Sequence, residues 1–177
     1  QVIEIGVEPN GININDQVGS TSPEQLQRAV VDESADFGVA YDGDGDRLIM
    51  VDEHGEVVDG DELVFIVARH RQQQGTLKGG VVGTLMSNFG LELALQQLHI
   101  PFIRAAVGDR YVLAALRENG WDLGGESSGH LLCLDVVSTG DGIVSSLQVI
   151  GAMLESEQSL GELKKGMHKL PQLMINV

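Results

Sequence analysis

Short apolar runs alternate with helix-length amphipathic segments along nearly the whole chain, and few architectures accept that order. Strands are expected at 2–7, 37–41, 48–52, 81–85, 102–106, 121–124 and 130–135, with 48–58 folding back as a hairpin over the turn Glu53-His54-Gly55-Glu56. Helices are expected from Ser22 to about 33, 60–73, 89–98, 110–119, about 141–155 and a short one at 159–166. Ser22 suits an N-cap and Pro23 a first helical position, and Gly120 is placed to end its helix. The pattern implies an α/β fold with mixed or parallel sheets and a boundary near residues 59–80.

Of the 177 residues, 42% are apolar, enough for a packed core. The net charge of -15 argues against nucleic-acid and anionic-membrane partners, which need a basic patch, and agrees with binding a cation. No apolar run approaches the ~20 residues of a membrane-spanning helix. The single cysteine, Cys133, lies in Leu131-Leu132-Cys133-Leu134 and reads as a buried, inert thiol, so no intramolecular disulfide is expected and the chain reads as cytoplasmic. The start, Gln1-Val2-Ile3-Glu4-Ile5, lacks Met and reads as a strand entered part-way, which suggests a truncated protein.

Asp42-Gly43-Asp44-Gly45-Asp46-Arg47 carries the strongest chemistry. Alternate carboxylates separated by glycines can converge on one point. Converged carboxylates repel unless a proton or a cation intervenes, and an oxygen-only donor set suits Mg²⁺ or Ca²⁺. Asp42, Asp44, Asp46 and Glu53 also fall on positions of a calcium-binding helix–loop–helix, but Arg47 stands where that loop needs glycine and the flanks alternate like strands.

Gly124-Gly125-Glu126-Ser127-Ser128-Gly129-His130 sets a carboxylate, two hydroxyls and an imidazole on a glycine hinge, the mixture that sugar hydroxyls require. A serine-hydrolase reading fails, because His130 leads into a strand rather than a helix. Val107-Gly108-Asp109-Arg110-Tyr111 places Arg110 at a helix start, where anions are favoured. Ser138-Thr139-Gly140-Asp141-Gly142 reads as a loop and helix cap, and His54, His70, His99 and His168 as solvent-facing.

In order and separation, the motifs at 42–47 and 124–130 resemble the metal loop and sugar loop of the α-D-phosphohexomutases. The segments at 83–88, 107–112 and 139–143 are similar to the bacterial branch that acts on glucosamine phosphates. The resemblance implies mixed-sheet α/β domains: residues 1–60 as the end of the second domain, 61–166 as the whole third, and 167–177 as a linker towards a fourth. Domains one and four, with the phosphoserine donor and a distal phosphate-binding loop, would be missing, leaving this piece inactive alone. The whole enzyme would interconvert glucosamine 6-phosphate and glucosamine 1-phosphate through a bisphosphate. Asp42, Asp44 and Asp46 would hold Mg²⁺. Arg47 and His130 would be catalytic, and Glu126, Ser128, Asp109 and Arg110 would bind the phosphosugar. A homodimer of the full-length enzyme is compatible with this. The alternatives are a noncatalytic cation-binding α/β module, or a phosphomannomutase or phosphoglucomutase relative. The catalytic readings require the 125–130 loop to face the same cleft as Asp42–Asp46, and the noncatalytic one does not.

Overall fold

The computed structural model describes residues 1–173. Two sheets share one core. The smaller is antiparallel, in the order β1 (Phe37–Tyr41), β2 (Leu48–Asp52), β3 (Val57–Val58). The larger has the order β5 (Phe102–Ala105), β4 (Val81–Thr84), β6 (Leu123–Gly125), β7 (Leu131–Cys133). Here β4 runs parallel to β5 and β6, while β7 returns antiparallel to β6. The expected mixed α/β arrangement is therefore present.

Among the described residues six helices clothe the sheets: α1 (Glu24–Asp32), α2 (Gly60–Gln73), α3 (Phe89–Gln97), α4 (Asp109–Asn119), α5 (Gly142–Ser156) and α6 (Leu160–Leu163). Val112 and Leu116 of α4 pack on Val82 and Leu132, covering one face of the larger sheet. The other face meets α2, buried from Gly60 through Ala68 because it lies between that sheet, α3 and α5. Burial all round the first turns suits an apolar central helix and not a surface one. Asp59 and Glu62 start α2 with a reciprocal capping box. The core runs without a break from Leu48 and Met50 of β2 through Leu63 and Phe65 to Leu131 of β7. Helix α5 joins the two sheets, touching β1 and β2 as well as β7 and α2.

Two local expectations fail. Residues 2–7 form no strand: Val2, Ile3 and Val7 are exposed, and among the described residues no neighbouring strand supplies a ladder. Helix α1 starts one residue late, with Pro23 as its N-cap and no side-chain cap bond. Ser22 instead closes a turn by donating to the Gly19 carbonyl. Gly120 ends α4 as expected, and Cys133 is buried, with burial pushing its thiol up to about 11. Of the four histidines expected in solvent, His70 is half-buried against Glu155 and the others are exposed. The last four residues of the linker expected at 167–177 lie outside the described residues. Among the described residues, no helix is long and apolar enough to cross a membrane.

Candidate functional site

The carboxylate loop is the connection between β1 and β2, so its ends are held by paired strands. It closes on itself: Gly45 N–H donates to the Asp42 carbonyl at 3.2 Å, and Arg47 N–H donates to Asp42 Oδ1 at 3.0 Å. The strands on both sides remove the calcium helix–loop–helix alternative. One carboxylate oxygen from each of Asp42, Asp44 and Asp46 lies within 4.8 Å of the others. Burial pushes the Asp42 carboxyl up. The Arg47 N–H bond, side-chain contributions from Asp44 and Asp46, and the Arg47 guanidinium together outweigh it and hold Asp42 below its usual value.

The donor set fits a hard divalent cation. All donors are oxygens, and Asp46 Oδ1 is buried with no hydrogen-bond partner among the described residues. A buried carboxylate oxygen left without a donor is costly, and a cation beside it would supply the missing positive charge.

The loop at 126–130 turns between β6 and β7 and is fastened on every side. Glu126 N–H and the His130 carbonyl close the hairpin at 3.0 Å. The Ser127 carbonyl accepts from Gly60 N–H at 3.2 Å, at the start of α2. Glu126 Oε1 accepts from Gly108 N–H at 2.9 Å, which brings the 107–111 segment alongside. Most telling is the link to the carboxylate loop. Arg47 and His130 form a β-bridge, Leu48 N–H donates to the Gly129 carbonyl at 3.0 Å, and His130 Nδ1 lies 3.1 Å from Asp46 Oδ2. The two motifs picked out separately in the sequence thus form one continuous surface.

The remaining site residues are placed as follows. Ser128 is exposed at the tip of its loop. Asp109 is exposed, and its Oδ1 accepts from Arg110 N–H. The Arg110 guanidinium stacks on Tyr111 at 4.6 Å and donates to its hydroxyl at 2.7 Å, with no carboxylate paired to it among the described residues. The Arg47 side chain is half exposed and only loosely paired, with Nε 4.0 Å from Asp42 Oδ2. His130 is buried, with its ring against Gly140. An open groove of about 1010 Å³ lies between the 4–26 segment and β1, and of the site residues only Asp42 reaches it.

Sequence reasoning missed the support behind the site. Asp141 caps α5 through Val144 N–H, as its position suggested. The flanking glycines do more: Gly142 N–H donates to the Gly45 carbonyl at 2.9 Å, and Gly140 makes room for His130. Tyr41, at the end of β1, shares a 2.7 Å hydrogen bond with Ser146 of α5. The paired glycines around an N-cap Asp were the available signal.

Residues 59–170 match the family described as phosphoglucomutase/phosphomannomutase, alpha/beta/alpha domain III. Over 177 residues the chain is 61% identical to a phosphoglucosamine mutase of Hahella chejuensis, covering all of this chain and 40% of that protein. It therefore spans about 40% of the length of such curated relatives. Among solved structures, a phosphoglucomutase/phosphomannomutase family protein from Burkholderia thailandensis superimposes with a TM-score of 0.71 at 24% identity, over 85% of this chain and 32% of that one. An Aspergillus fumigatus N-acetylphosphoglucosamine mutase, in complex with GlcNAc-6P and magnesium, superimposes with a TM-score of 0.70 at 21% identity, over 89% of this chain and 38% of that one. These two likenesses concern the fold, and the sequence match over 59–170 carries the assignment: the chain belongs to the phosphoglucomutase/phosphomannomutase family.

Proposed function

We propose that this chain is the metal-binding and sugar-recognition part of a phosphoglucosamine mutase, an intramolecular phosphotransferase that interconverts glucosamine 6-phosphate and glucosamine 1-phosphate. The observation that carries the reading is the Arg47–His130 bridge, which sets the carboxylate loop and the Glu126–Ser128 loop side by side. The 61% identity to a protein of that name supports the choice of sugar.

In this reading Asp42, Asp44 and Asp46 hold Mg²⁺, and the A. fumigatus complex with magnesium supports that cation. When bound, Mg²⁺ neutralises charge on the transferring phosphoryl group. Arg47, half exposed beside Asp42, adds positive charge at the same edge. Glu126 keeps Oε2 for a sugar hydroxyl while Gly108 N–H holds Oε1, and the exposed Ser128 hydroxyl gives or takes a second bond. Arg110, without a carboxylate partner among the described residues, meets the phosphate of the phosphosugar, and Asp109 lies beside it. His130 acts on the reaction through Asp46. Residues 1–60 and 61–166 belong to consecutive domains of the longer protein, with 167–177 leading to the next. The phosphoryl donor and the distal phosphate clamp lie in segments outside this chain, and a homodimer is the assembly proposed for the full-length enzyme.

The test is turnover of glucosamine 6-phosphate by the full-length enzyme with Mg²⁺ and a bisphosphate activator. Asp44→Asn is expected to abolish transfer, and Glu126→Ala to lower turnover and sugar discrimination. The 177-residue chain alone is expected to give none. Full activity in Asp44→Asn would overturn the metal assignment, and turnover by the isolated chain would overturn the placement of the donor.

A further inference from the structure

Each carboxylate in the loop has two oxygens, and the structure disposes of them unevenly. Asp42 spends Oδ1 on the Arg47 N–H at 3.0 Å. Asp46 spends Oδ2 on His130 Nδ1 at 3.1 Å, leaving Oδ1 buried and unpartnered among the described residues. Asp42 and Asp46 therefore each keep one oxygen free of these bonds, while the other oxygen already serves a hydrogen-bond donor.

His130 is well fixed for this task. Its backbone is bridged to Arg47, at the end of the loop that carries Asp46. Its side chain is 6% exposed, and a methyl placed on Gly140 would overlap the ring at Cε1 and Nε2. The imidazole therefore fills the space a side chain at Gly140 would take, and any larger residue there would push it away from Asp46. With Asp46 ionised, Nδ1 carries the proton and donates.

We propose that His130, backed by Gly140, is a positioning residue that sets the metal preference of the carboxylate loop. By holding Asp46 Oδ2 and fixing the carboxylate's orientation, it disfavours the bidentate grip that Ca²⁺ readily takes. It thereby favours Mg²⁺, which needs single oxygens in near-octahedral array. The proposal rests on the metal reading above and adds what decides between two hard cations.

The test titrates the 177-residue chain with Mg²⁺ and with Ca²⁺ separately by calorimetry, with circular dichroism confirming the fold of each variant. In His130→Ala, Mg²⁺ affinity is expected to fall by about 10- to 100-fold. Ca²⁺ affinity is expected to hold or rise, so the ratio of the two drops at least about tenfold. His130→Asn, whose amide N–H can stand near Nδ1, is expected to recover most of that ratio. Gly140→Ala is expected to behave like His130→Ala, and decides the matter if His130→Ala does not fold. An unchanged ratio in folded His130→Ala or Gly140→Ala overturns the proposal while leaving the metal site standing. Wild-type protein that binds neither ion, or Asp44→Asn that binds both as well as wild type, overturns the metal reading itself and this inference with it.

Discussion

Asn88 grips the backbone of Leu170 by both of its polar groups: Oδ1 accepts from Leu170 N–H at 2.9 Å and Nδ2 donates to the Leu170 carbonyl at 2.8 Å. The same Oδ1 caps α3 by accepting from Gly90 N–H, and the Asn88 N–H donates to Asp61 Oδ2 at 2.7 Å. Asn88 thus fastens the segment after α6 to the start of α3 through its side chain and to the start of α2 through its own N–H. Asn88→Ala is expected to cost about 2–4 kcal/mol, the sum of a lost cap and two lost hydrogen bonds to the Leu170 backbone. Urea unfolding measures the cost, and limited proteolysis should find faster cleavage near Leu170.

Asp61 lies 2% exposed at the start of α2, with Oδ1 unpartnered among the described residues. Burial is the main cause that pushes its carboxyl up from 3.8 to about 6, against the opposing Asn88 N–H bond. The folded state therefore holds this proton more tightly than the unfolded chain does. The stability it contributes is full below pH 3.8 and is lost as pH rises through about 6. Asp61→Asn is expected to be more stable than wild type by about 1–3 kcal/mol at pH 7.5, with the gap closing towards pH 4. Denaturant melts across that range check it, and a gap independent of pH would rule it out.

Asp52 runs the other way. Burial raises its carboxyl, but the Lys164 ammonium and the Glu56 and His54 N–H groups bring it below its usual value. Its stabilisation is present above the unfolded value and disappears as pH falls through the folded one. Lys164→Met, which leaves a fully buried carboxylate without its cation, is expected to cost about 3 kcal/mol near neutral pH. Thermal melts at pH 7 and pH 3 should show the loss shrinking in acid.

Gly129 sits at φ +94, and a methyl on it would overlap the Leu48 carbonyl across the junction of the two loops. Gly129→Ala is expected to destabilise by about 1–3 kcal/mol or more and to weaken Mg²⁺ binding through Asp46. Gly151→Ala is the control: it lies within α5, and beyond the helix's own backbone no described residue comes inside 4 Å of the added methyl. It is expected to stabilise by about 0.5–1 kcal/mol. Paired urea titrations distinguish the two.

Mg²⁺ is expected to bind the isolated chain weakly and to raise its melting temperature. At 100 times the dissociation constant the gain is about 2.7 kcal/mol, a shift of roughly 5–10 °C for a chain of this size. Asp44→Asn should abolish the shift in scanning calorimetry, and an equal response in both proteins would remove the assignment.

The fold was legible where side-chain period and turn chemistry agree. The hairpin around Glu53–Glu56 followed from alternation across a turn, and the span of α2 from Gly60-Asp61-Glu62 opening a run with Leu63, Phe65, Ile66 and Val67 on one side. The missing strand at 2–7 was not legible, because an apolar run states a preference for pairing and says nothing of a partner. The carboxylates of the site were visible because charge repeated on glycines has few other uses. The contact of Asp46 with His130, and the room that Gly140 leaves for that ring, depend on approach between segments far apart in the chain. No local pattern records such approach.

The bridge between Arg47 and His130, with Gly142 pinned to Gly45, has a consequence for recombination. Residues 42–47, 124–130 and 140–142 are separate words in the gene but a single mechanical part in the protein. A chimera with its crossover between residues 60 and 120 would join a carboxylate loop from one parent to a 124–130 loop and α5 start from another. Its penalty would grow with every mismatch along that shared seam, however well each half folds. Functional exchange between relatives is therefore expected to move the three segments together.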